Sequence, residues 1–460
     1  MPPNVLFIIT DQQRPDTLGC LGHAHMRTPN IDRLAESGLC LTNAYVQSTV
    51  CVPSRACMLS CKYAHSHGAT DNGMWIRDED TNYIHDFRNA GYHTAAIGKI
   101  HSKPVHHPCG FEFRWVAENK NHKGSTKPGF EDDDYGVMLR ALGHDRPGAC
   151  YQDTEHDWFS ELGAAIWPLP EELYYDNVVG AKAVDYVERH DFETPLYLHV
   201  GFPGPHDPFD VTESDLAAYG DPELPEPVGY EGEFEDKPSA QRRYMEMMET
   251  RFCGACIPLL SEATPEKLHR MRRHYFANVY AVDRWVGRLC EALAERGQLD
   301  NTLVVFTSDH GETLGDHGMI YKFGTHYDSV ARVPCVFRGP GVPARALESG
   351  LFETLDFGPT LLELCGVRSD QEFEGRSAVP LLRDGSRIHD AVFSEYEQRL
   401  MIRTDRWKLV YYAKDNEGEM YDMAADPDEL DNRYGDAEVA PEQARLMARL
   451  MQWRFGPAVR

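Results

Sequence analysis

No run of about 18 apolar residues occurs anywhere in the chain, so the sequence offers no membrane-spanning helix. Basic residues are scarce beside acidic ones: 46 Lys and Arg against 73 Asp and Glu leave a net charge of −27. That balance argues against nucleic acid or an anionic membrane as a partner. Any anion handled here must be held by a local basic cluster. A basic leader is also lacking, and the apolar stretch Val5 to Ile9 runs straight into an acidic residue; it reads as a first strand, not a signal peptide. Cys253-Gly-Ala-Cys256 has no second pair to complete a zinc site. Asp356-Phe-Gly358 spells the kinase magnesium triplet, but no glycine-rich loop or catalytic-loop signature accompanies it.

What is present is an ordinary globular composition, 42% hydrophobic and 26% charged, which excludes a disordered or fibrous chain. A length of 460 residues is enough for one large domain plus a smaller one. Twelve cysteines without a leader suggest free thiols in a reducing compartment, hence a cytoplasmic protein. Cys57 and Cys61, one helical turn apart, read as packing residues.

Continuous apolar runs mark strands buried on both faces: Asn4 to Asp11, Leu196 to Gly201 and Asn301 to Ser308. Between them lie helical patterns. Thr28 to Gly38, Thr81 to Ala90 and Glu171 to His190 are helices, and Thr264 to Gly297 is the longest, with apolar residues every three or four positions. Leu39 to Val46 and Thr94 to Gly98 are further strands. Two stretches, about 100–170 and 210–261, show no sustained period and read as excursions over a site. After Ala391 short strands alternate, at Ala391 to Glu395, Leu400 to Thr404 and Trp407 to Tyr412, and a final helix begins near Pro441. Domains of 1–375 and 376–460 follow from this.

Residues with chemistry gather at the ends of these strands, where open α/β sheets place their sites. Asp11 and Gln12 follow the first strand, and Asp309 and His310 follow the Asn301 to Ser308 strand. Lys99 and His101, two apart, are expected on one face of a strand end. His206 lies among prolines, which restrict its backbone. Cys51-Val-Pro-Ser-Arg55 is the sharpest motif: Pro53 suits the first turn of a helix, placing Cys51 at its N-terminus with Arg55 about a turn on. Such an end, with exposed N–H groups and a guanidinium, suits an anion. On the residues alone, Cys51 reads first as a buried packing cysteine, with a low-pKa thiolate paired with a distant His as the second reading.

Cys-x-Pro-x-Arg resembles the modification signature of the sulfatases. So do the opening block Asp11 to Gly19, Thr28 to Gly38, Gly98-Lys-Ile-His101, Pro205-His-Asp-Pro-Phe209, Asp309-His-Gly-Glu312 with Lys322, and Asp356 to Gly366, in the family's order. The chain is thus similar, over nearly its whole length, to type I sulfatases of the alkaline phosphatase superfamily. The fold this implies is α/β: a large mixed, mostly parallel sheet between helices, with a small C-terminal antiparallel subdomain.

The resemblance implies a sulfuric ester hydrolase of the arylsulfatase kind, acting on a small-molecule sulfate ester. Cys51 is expected to be oxidised to Cα-formylglycine by a formylglycine-generating maturation enzyme. One divalent metal, calcium or manganese, is expected on Asp11, Gln12, Asp309, His310 and modified residue 51, whose gem-diol oxygen is ligand and nucleophile. His206 is the expected general acid, His101 the base for sulfate release, and Lys99 and Lys322 the cations on the sulfonyl oxygens. Arg55 orients residue 51, and Asn72 is expected to meet substrate. Neither nucleic acid nor membrane is a partner, and self-association is left open.

Two positions depart from the commonest family pattern. Many sulfatases have Asp where Gln12 stands and Asn where His310 stands; the pair here removes a carboxylate and adds a nitrogen, opening the site to manganese. These pairs and Asn72 resemble the phosphonate monoester and phosphodiester hydrolases of the superfamily, the alternative function. Lys99 and His101 speak against it, since those enzymes carry Tyr and Thr there. A catalytically silent binding protein is the third reading.

Overall fold

A computed structural model describes residues 2–76, 81–120, 132–147, 161–235, 237–249, 263–322 and 325–456. The Cys253–Cys256 pair lies outside them. The strands among the described residues are β1 (Asn4–Asp11), β2 (Leu39–Tyr45), β3 (His93–Gly98), β4 (Phe113–Val116), β5 (Ala164–Ile166), β6 (Leu196–Pro205), β7 (Phe209–Val211), β8 (Thr302–Ser308), β9 (Arg332–Val333), β10 (Cys335–Arg338), β11 (Ala346–Glu353), β12 (Val392–Tyr396), β13 (Arg399–Arg403), β14 (Trp407–Tyr412) and β15 (Glu417–Asp422).

All eight residues of β1 are buried, because this strand runs through the middle of the large sheet. The order there is β11-β2-β10-β8-β1-β6-β3-β4, with β9 beside β2. β1 pairs in parallel with β6 and β8, as β3 does with β6 and β4, whereas β10 runs antiparallel to both its neighbours. Alternate residues of β1 feed two cores. Leu6 and Ile8 pack with Val178 and Val179 of helix Tyr175–Arg189 and with Val282 and Val286 of helix Pro265–Glu295. Val5, Phe7 and Ile9 pack with Met58 of helix Cys51–Ser60, Phe87 of helix Tyr83–Asn89 and Leu361 of helix Phe357–Cys365. A continuous apolar strand is what two covered faces require. The expected mixed, mostly parallel sheet between helices is therefore present.

The carboxyl ends of β3, β6, β1 and β8 are neighbours, and each leads into a chemistry-bearing residue. β3 and β6 close up tightly there: a Cβ on Gly98 would meet Gly201 O at 2.1 Å, and Gly98 has a φ of 94°. Only glycine accepts both conditions. β3 consequently stops at Gly98, and Lys99 and His101 lie in the loop beyond it, His101 with a φ of 67°. The expectation that both share a strand face is corrected: they are brought to one site by a turn.

The longest helix is as the periodicity predicts, with the Thr264 side chain accepting from the Lys267 amide at its start. The two excursions carry more structure than their sequences suggest. β4, helix Asp134–Ala141 and β5 fall in the first, and helices Glu213–Tyr219 and Ser239–Glu249 in the second.

β12 to β15 form the separate antiparallel sheet, one strand more than expected, with Leu446 and Leu450 of helix Ala440–Phe455 on it. Tyr45 of β2 packs against Val392, Met401, Val410 and Tyr412 of that sheet. Lys408 of β14, fully buried, lies 2.9 Å from Asp328 and 2.6 Å from Glu429. No helix of the described residues is long and apolar enough to cross a membrane.

Candidate active site

Helix Cys51–Ser60 begins at Cys51, and all ten of its residues are buried. Asn72 Oδ1 accepts a hydrogen bond from the Val52 amide at 3.1 Å, so this half-buried residue ties down the first turn beside Cys51. The helix is oriented by Arg55, whose guanidinium Nε lies 2.7 Å from Asp309 Oδ2 and one of whose terminal nitrogens lies 3.6 Å from Asp11 Oδ2. The same group donates to the Lys99 carbonyl at 2.8 Å and the Thr10 carbonyl at 3.3 Å. Arg55 thus binds the ends of β1 and β8 through the two carboxylates and the end of β3 through the Lys99 carbonyl.

With their Oδ2 atoms held by cations, Asp11 and Asp309 turn their Oδ1 atoms inward. The Lys99 ammonium pairs with Asp11 Oδ2. His310 Nε2 lies 3.8 Å from Asp11 Oδ1, 3.7 Å from Asp309 Oδ1 and 3.1 Å from Cys51 Sγ. Asp11, Cys51, Asp309 and His310, all buried, offer ligand atoms within 4.8 Å of one another. His310 Nδ1 donates to the Gly311 carbonyl at 2.8 Å, which leaves the Nε2 lone pair for the centre. Burial favours the uncharged carboxyl, yet the Arg55 guanidinium, with Lys99 adding to it, holds Asp309 below the usual range. Two carboxylate oxygens, an imidazole nitrogen and residue 51 make a donor set that fits a divalent cation.

Gln12 stands at the rim with a φ of 66°. Its amide oxygen accepts from Lys322 Nζ and its amide nitrogen donates to Glu312 Oε2 at 2.5 Å, so its orientation is determined. Burial raises Glu312 to about 7, against hydrogen bonds from the Leu314 and Tyr321 amides. Burial likewise pushes the Cys51 thiol up to about 11, against the pull of Lys322 and Arg55. An unmodified Cys51 here is a neutral thiol, without the thiolate a cysteine nucleophile uses.

His101 and His206 complete the ring of side chains. His206 Nδ1 donates to the Asp207 carbonyl at 2.7 Å; burial, with Lys322 and Lys99 adding to it and Asp207 opposing, lowers the imidazole to about 4. His101 is held neutral by burial, with Lys99, Lys103, Arg55 and His206 adding to it, and its Nδ1 has no hydrogen-bond partner. Every site residue expected from the sequence is thus drawn to one place, although Arg55 contacts the carboxylates and Asn72 the helix backbone.

Comparisons with known proteins agree with this geometry. The family model described as Sulfatase matches residues 3–367, and that of the C-terminal part of N-sulphoglucosamine sulphohydrolase matches residues 315–455. The chain belongs to the sulfatase family. It is 30% identical over 451 residues to an arylsulfatase of Clostridium perfringens, covering 94% of this chain and 90% of that protein. A solved protein in complex with its substrate D-glucosamine-2-N,6-O-disulfate superposes with a TM-score of 0.77 at 26% identity, covering 99% of this chain and 98% of that one. The phosphonate monoester hydrolase of Agrobacterium radiobacter does so with a TM-score of 0.80 at 26% identity, covering 98% and 95%. As a sulfatase the protein is a sulfuric ester hydrolase of the alkaline phosphatase superfamily.

Some residues of this sulfatase's site escaped the sequence reading. Glu118, 2% exposed, accepts the His101 backbone N–H on Oε1 at 3.1 Å. Asp207 flanks His206, and Glu312 orients Gln12. Glu312 closes the Asp309-His-Gly-Glu312 motif but was given no role from it; Glu118 sits in a stretch without any period.

Proposed function

We propose that this sulfatase cleaves a sulfate monoester to alcohol and sulfate at residue 51, converted from cysteine to formylglycine. The observation that carries the reading is the convergence of Asp11 Oδ1, Asp309 Oδ1 and His310 Nε2 on Cys51 Sγ at a helix N-terminus. A divalent cation would be held by Asp11, Asp309, His310 and the Gln12 oxygen, and when bound it supplies Lewis acidity that makes an adjacent hydroxyl a nucleophile at neutral pH. The nitrogen of His310 favours manganese over calcium by comparison with an all-oxygen set. Hydrated formylglycine supplies two hydroxyls on one carbon, one to displace the alcohol from sulfur and one whose oxygen restores the carbonyl as sulfate departs.

The chain's own residues then divide the work. Lys99, beside Asp11, and Lys322, beside Gln12, hold the sulfonyl oxygens while their charge is rearranged. His206 gives a proton to the oxygen of the departing alcohol; the sulfate ester's own negative charge nearby is what charges this buried imidazole. His101, neutral and with a free Nδ1, takes the proton of the second hydroxyl in the release of sulfate. Arg55 holds both carboxylates in place through its contacts with Asp309 and Asp11.

Asn72 and the likeness to a phosphonate monoester hydrolase favour a second reading, in which a phosphonate monoester or phosphodiester is cleaved at the same residue. Parallel kinetics on matched aryl sulfate, phosphate monoester, phosphodiester and phosphonate monoester substrates separate the two. Peptide mapping of enzyme made with a formylglycine-generating maturation enzyme should show residue 51 without sulfur and with one added oxygen. An active preparation with Cys51 wholly unmodified, or a wide preference for the phosphonate, would overturn the sulfatase chemistry proposed here.

A further inference from the structure

The strand β4 continues into four residues, 117–120, whose side chains touch both catalytic histidine loops. Their backbone is fastened from several sides: the Ala117 amide donates to the Gly98 carbonyl at 3.3 Å, the Glu118 amide to Asp133 Oδ2 at 2.6 Å, and the Asn119 carbonyl accepts from Arg146 Nη1 at 3.0 Å. From this fixed segment Glu118 reaches one loop. Its Oε1 accepts the backbone N–H of His101, a residue with a φ of 67°, a region that L-residues keep only where the surroundings hold them. Glu118 Oε2 is buried with no hydrogen-bond partner. A carboxylate of which one oxygen goes unsatisfied is a costly way to make an ordinary structural bond.

Lys120, two residues on and fully buried, reaches the other loop. Its Nζ donates to the Pro208 carbonyl at 3.3 Å and pairs with Asp210 Oδ1 at 3.0 Å, two and four residues past His206. The same ammonium donates to Tyr174 Oη at 3.0 Å and Asn278 Oδ1 at 2.9 Å, at the start of helix Tyr175–Arg189 and inside helix Pro265–Glu295. The His206 loop is in this way anchored to two long helices, Tyr175–Arg189 and Pro265–Glu295, through one side chain.

We infer that Glu118 and Lys120 are positioning residues for the reaction, Glu118 for His101 and Lys120 for His206, so that one short segment sets both proton-transfer groups independently. The inference rests on the roles proposed above, alcohol departure for His206 and sulfate release for His101. Neither Glu118 nor Lys120 need touch substrate. Displacement of a reacting group by about 1 Å can cost a hundredfold in rate, so small shifts of either loop are measurable.

The test compares converted Glu118→Ala and Lys120→Met enzymes by rapid mixing with a series of aryl sulfates of graded leaving-group pKa. Glu118→Ala should keep a first turnover within about threefold of wild type and lose about tenfold or more in later turnovers, with sulfate retained covalently on the protein by mass spectrometry. Lys120→Met should slow the first turnover by about tenfold or more, increasingly for poorer leaving groups, and retain no sulfate. If Lys120→Met does not fold, Asp210→Asn, which weakens the same anchor, must show the same split. Crystal structures of the unconverted proteins read positioning directly: Glu118→Ala should displace the His101 loop alone, and the lysine-anchor variant the His206 loop alone. Equal slowing of both phases in both variants, or loops that stay in place, overturns the inference. A wild type that prefers phosphonates overturns the sulfatase chemistry instead, and the crystal structures still decide the positioning.

Discussion

Arg55 Nε and Asp309 Oδ2 form a 2.7 Å ion pair in which the arginine is 2% exposed and the aspartate fully buried. Removing one partner of such a pair leaves the other charge uncompensated, at a cost of about 3–5 kcal/mol. Here two carboxylates depend on the one guanidinium. Arg55→Met, compared with wild type while Cys51 is unconverted in both, should melt well below it in metal-free buffer and recover part of the difference in excess calcium or manganese. Equal melting temperatures without metal would show that Arg55 does not hold the carboxylates.

Metal content gives the second expectation. Asp11→Asn and Asp309→Asn each take away one inward oxygen charge from a centre that has only two, so each should empty the site and abolish turnover together. His310→Asn replaces the Nε2 donor by an oxygen and should keep a metal while shifting preference toward calcium. Elemental mass spectrometry after exchange against equal calcium and manganese decides both. A fully loaded Asp309→Asn protein would count against the ligand assignment.

The strands that deliver these ligands were legible because burial on both faces writes an unbroken apolar run, as in Asn4 to Ile9 and Leu303 to Phe306. The nucleophile helix was legible because Pro53 and Cys51 stand at fixed offsets in its first turn. By contrast, β15 was missed, since Glu419 in its middle is buried and accepts hydrogen bonds from Tyr412 and Tyr421, which defeats any apolar pattern. The turn that carries Lys99 and His101 past the end of β3 was missed for a different reason. It is determined by contact of Gly98 with Gly201, residues over a hundred positions apart, and no local pattern reports that. Glu118 and Lys120 were hidden for the same cause: their partners are distant loops and helices, and the segment itself has no period. Nor could spacing tell that Arg55 would spend its donors on carboxylates and carbonyls.

A third expectation concerns pH, at a second buried network formed by Glu353, Asp356 and His389. Burial lowers the His389 imidazole, but Asp356, whose Oδ2 lies 2.7 Å from Nε2, and Glu353 outweigh it and raise His389 to about 9. Burial, with Asp356 adding to it, raises Glu353 to about 7. Both groups hold their protons more tightly folded than unfolded. Their contribution is complete below the unfolded values and is lost as pH rises, first through about 7 and then through about 9. For His389 the loss is on the order of 3 kcal/mol between pH 6 and pH 10. The melting temperature should fall over that range, and His389→Gln should flatten the upper part of the decline. An unchanged pH profile in His389→Gln would remove the network from the account.

Lys408 carries the fourth. On the proposed division of the chain at residue 375, it is the bolt between the units, placing one buried ammonium between Asp328, next to the large sheet, and Glu429, beyond β15. Lys408→Met leaves two buried carboxylates facing each other and should destabilise by about 3–5 kcal/mol. Adding Glu429→Gln should restore part of that, because one of the uncompensated charges is then gone. Thermal melting with limited proteolysis should show the C-terminal sheet released first in the single variant. If the double variant melts below the single one, the ion triad is not what joins the units.

The last expectation separates the two histidines. His206 follows β6 and is the acid proposed for the departing alcohol, whereas His101, in the loop after β3, has a buried Nδ1 with no partner and a neutral ring. Without His101 the first displacement has all its parts, but nothing takes the proton needed to expel sulfate. His101→Ala should therefore release one equivalent of alcohol in a burst and then nearly stop, with sulfate held covalently on the protein. Without His206 the alcohol must leave as an unprotonated oxyanion. The burst itself should slow, by about a hundredfold or more for poor leaving groups and far less for an activated aryl sulfate whose phenolate leaves unaided. Rapid mixing over a leaving-group series, with mass spectrometry of the quenched protein, reads both. Normal steady turnover by His101→Ala would show that the proton goes elsewhere, and a flat leaving-group dependence in His206→Ala would show that His206 is not the acid.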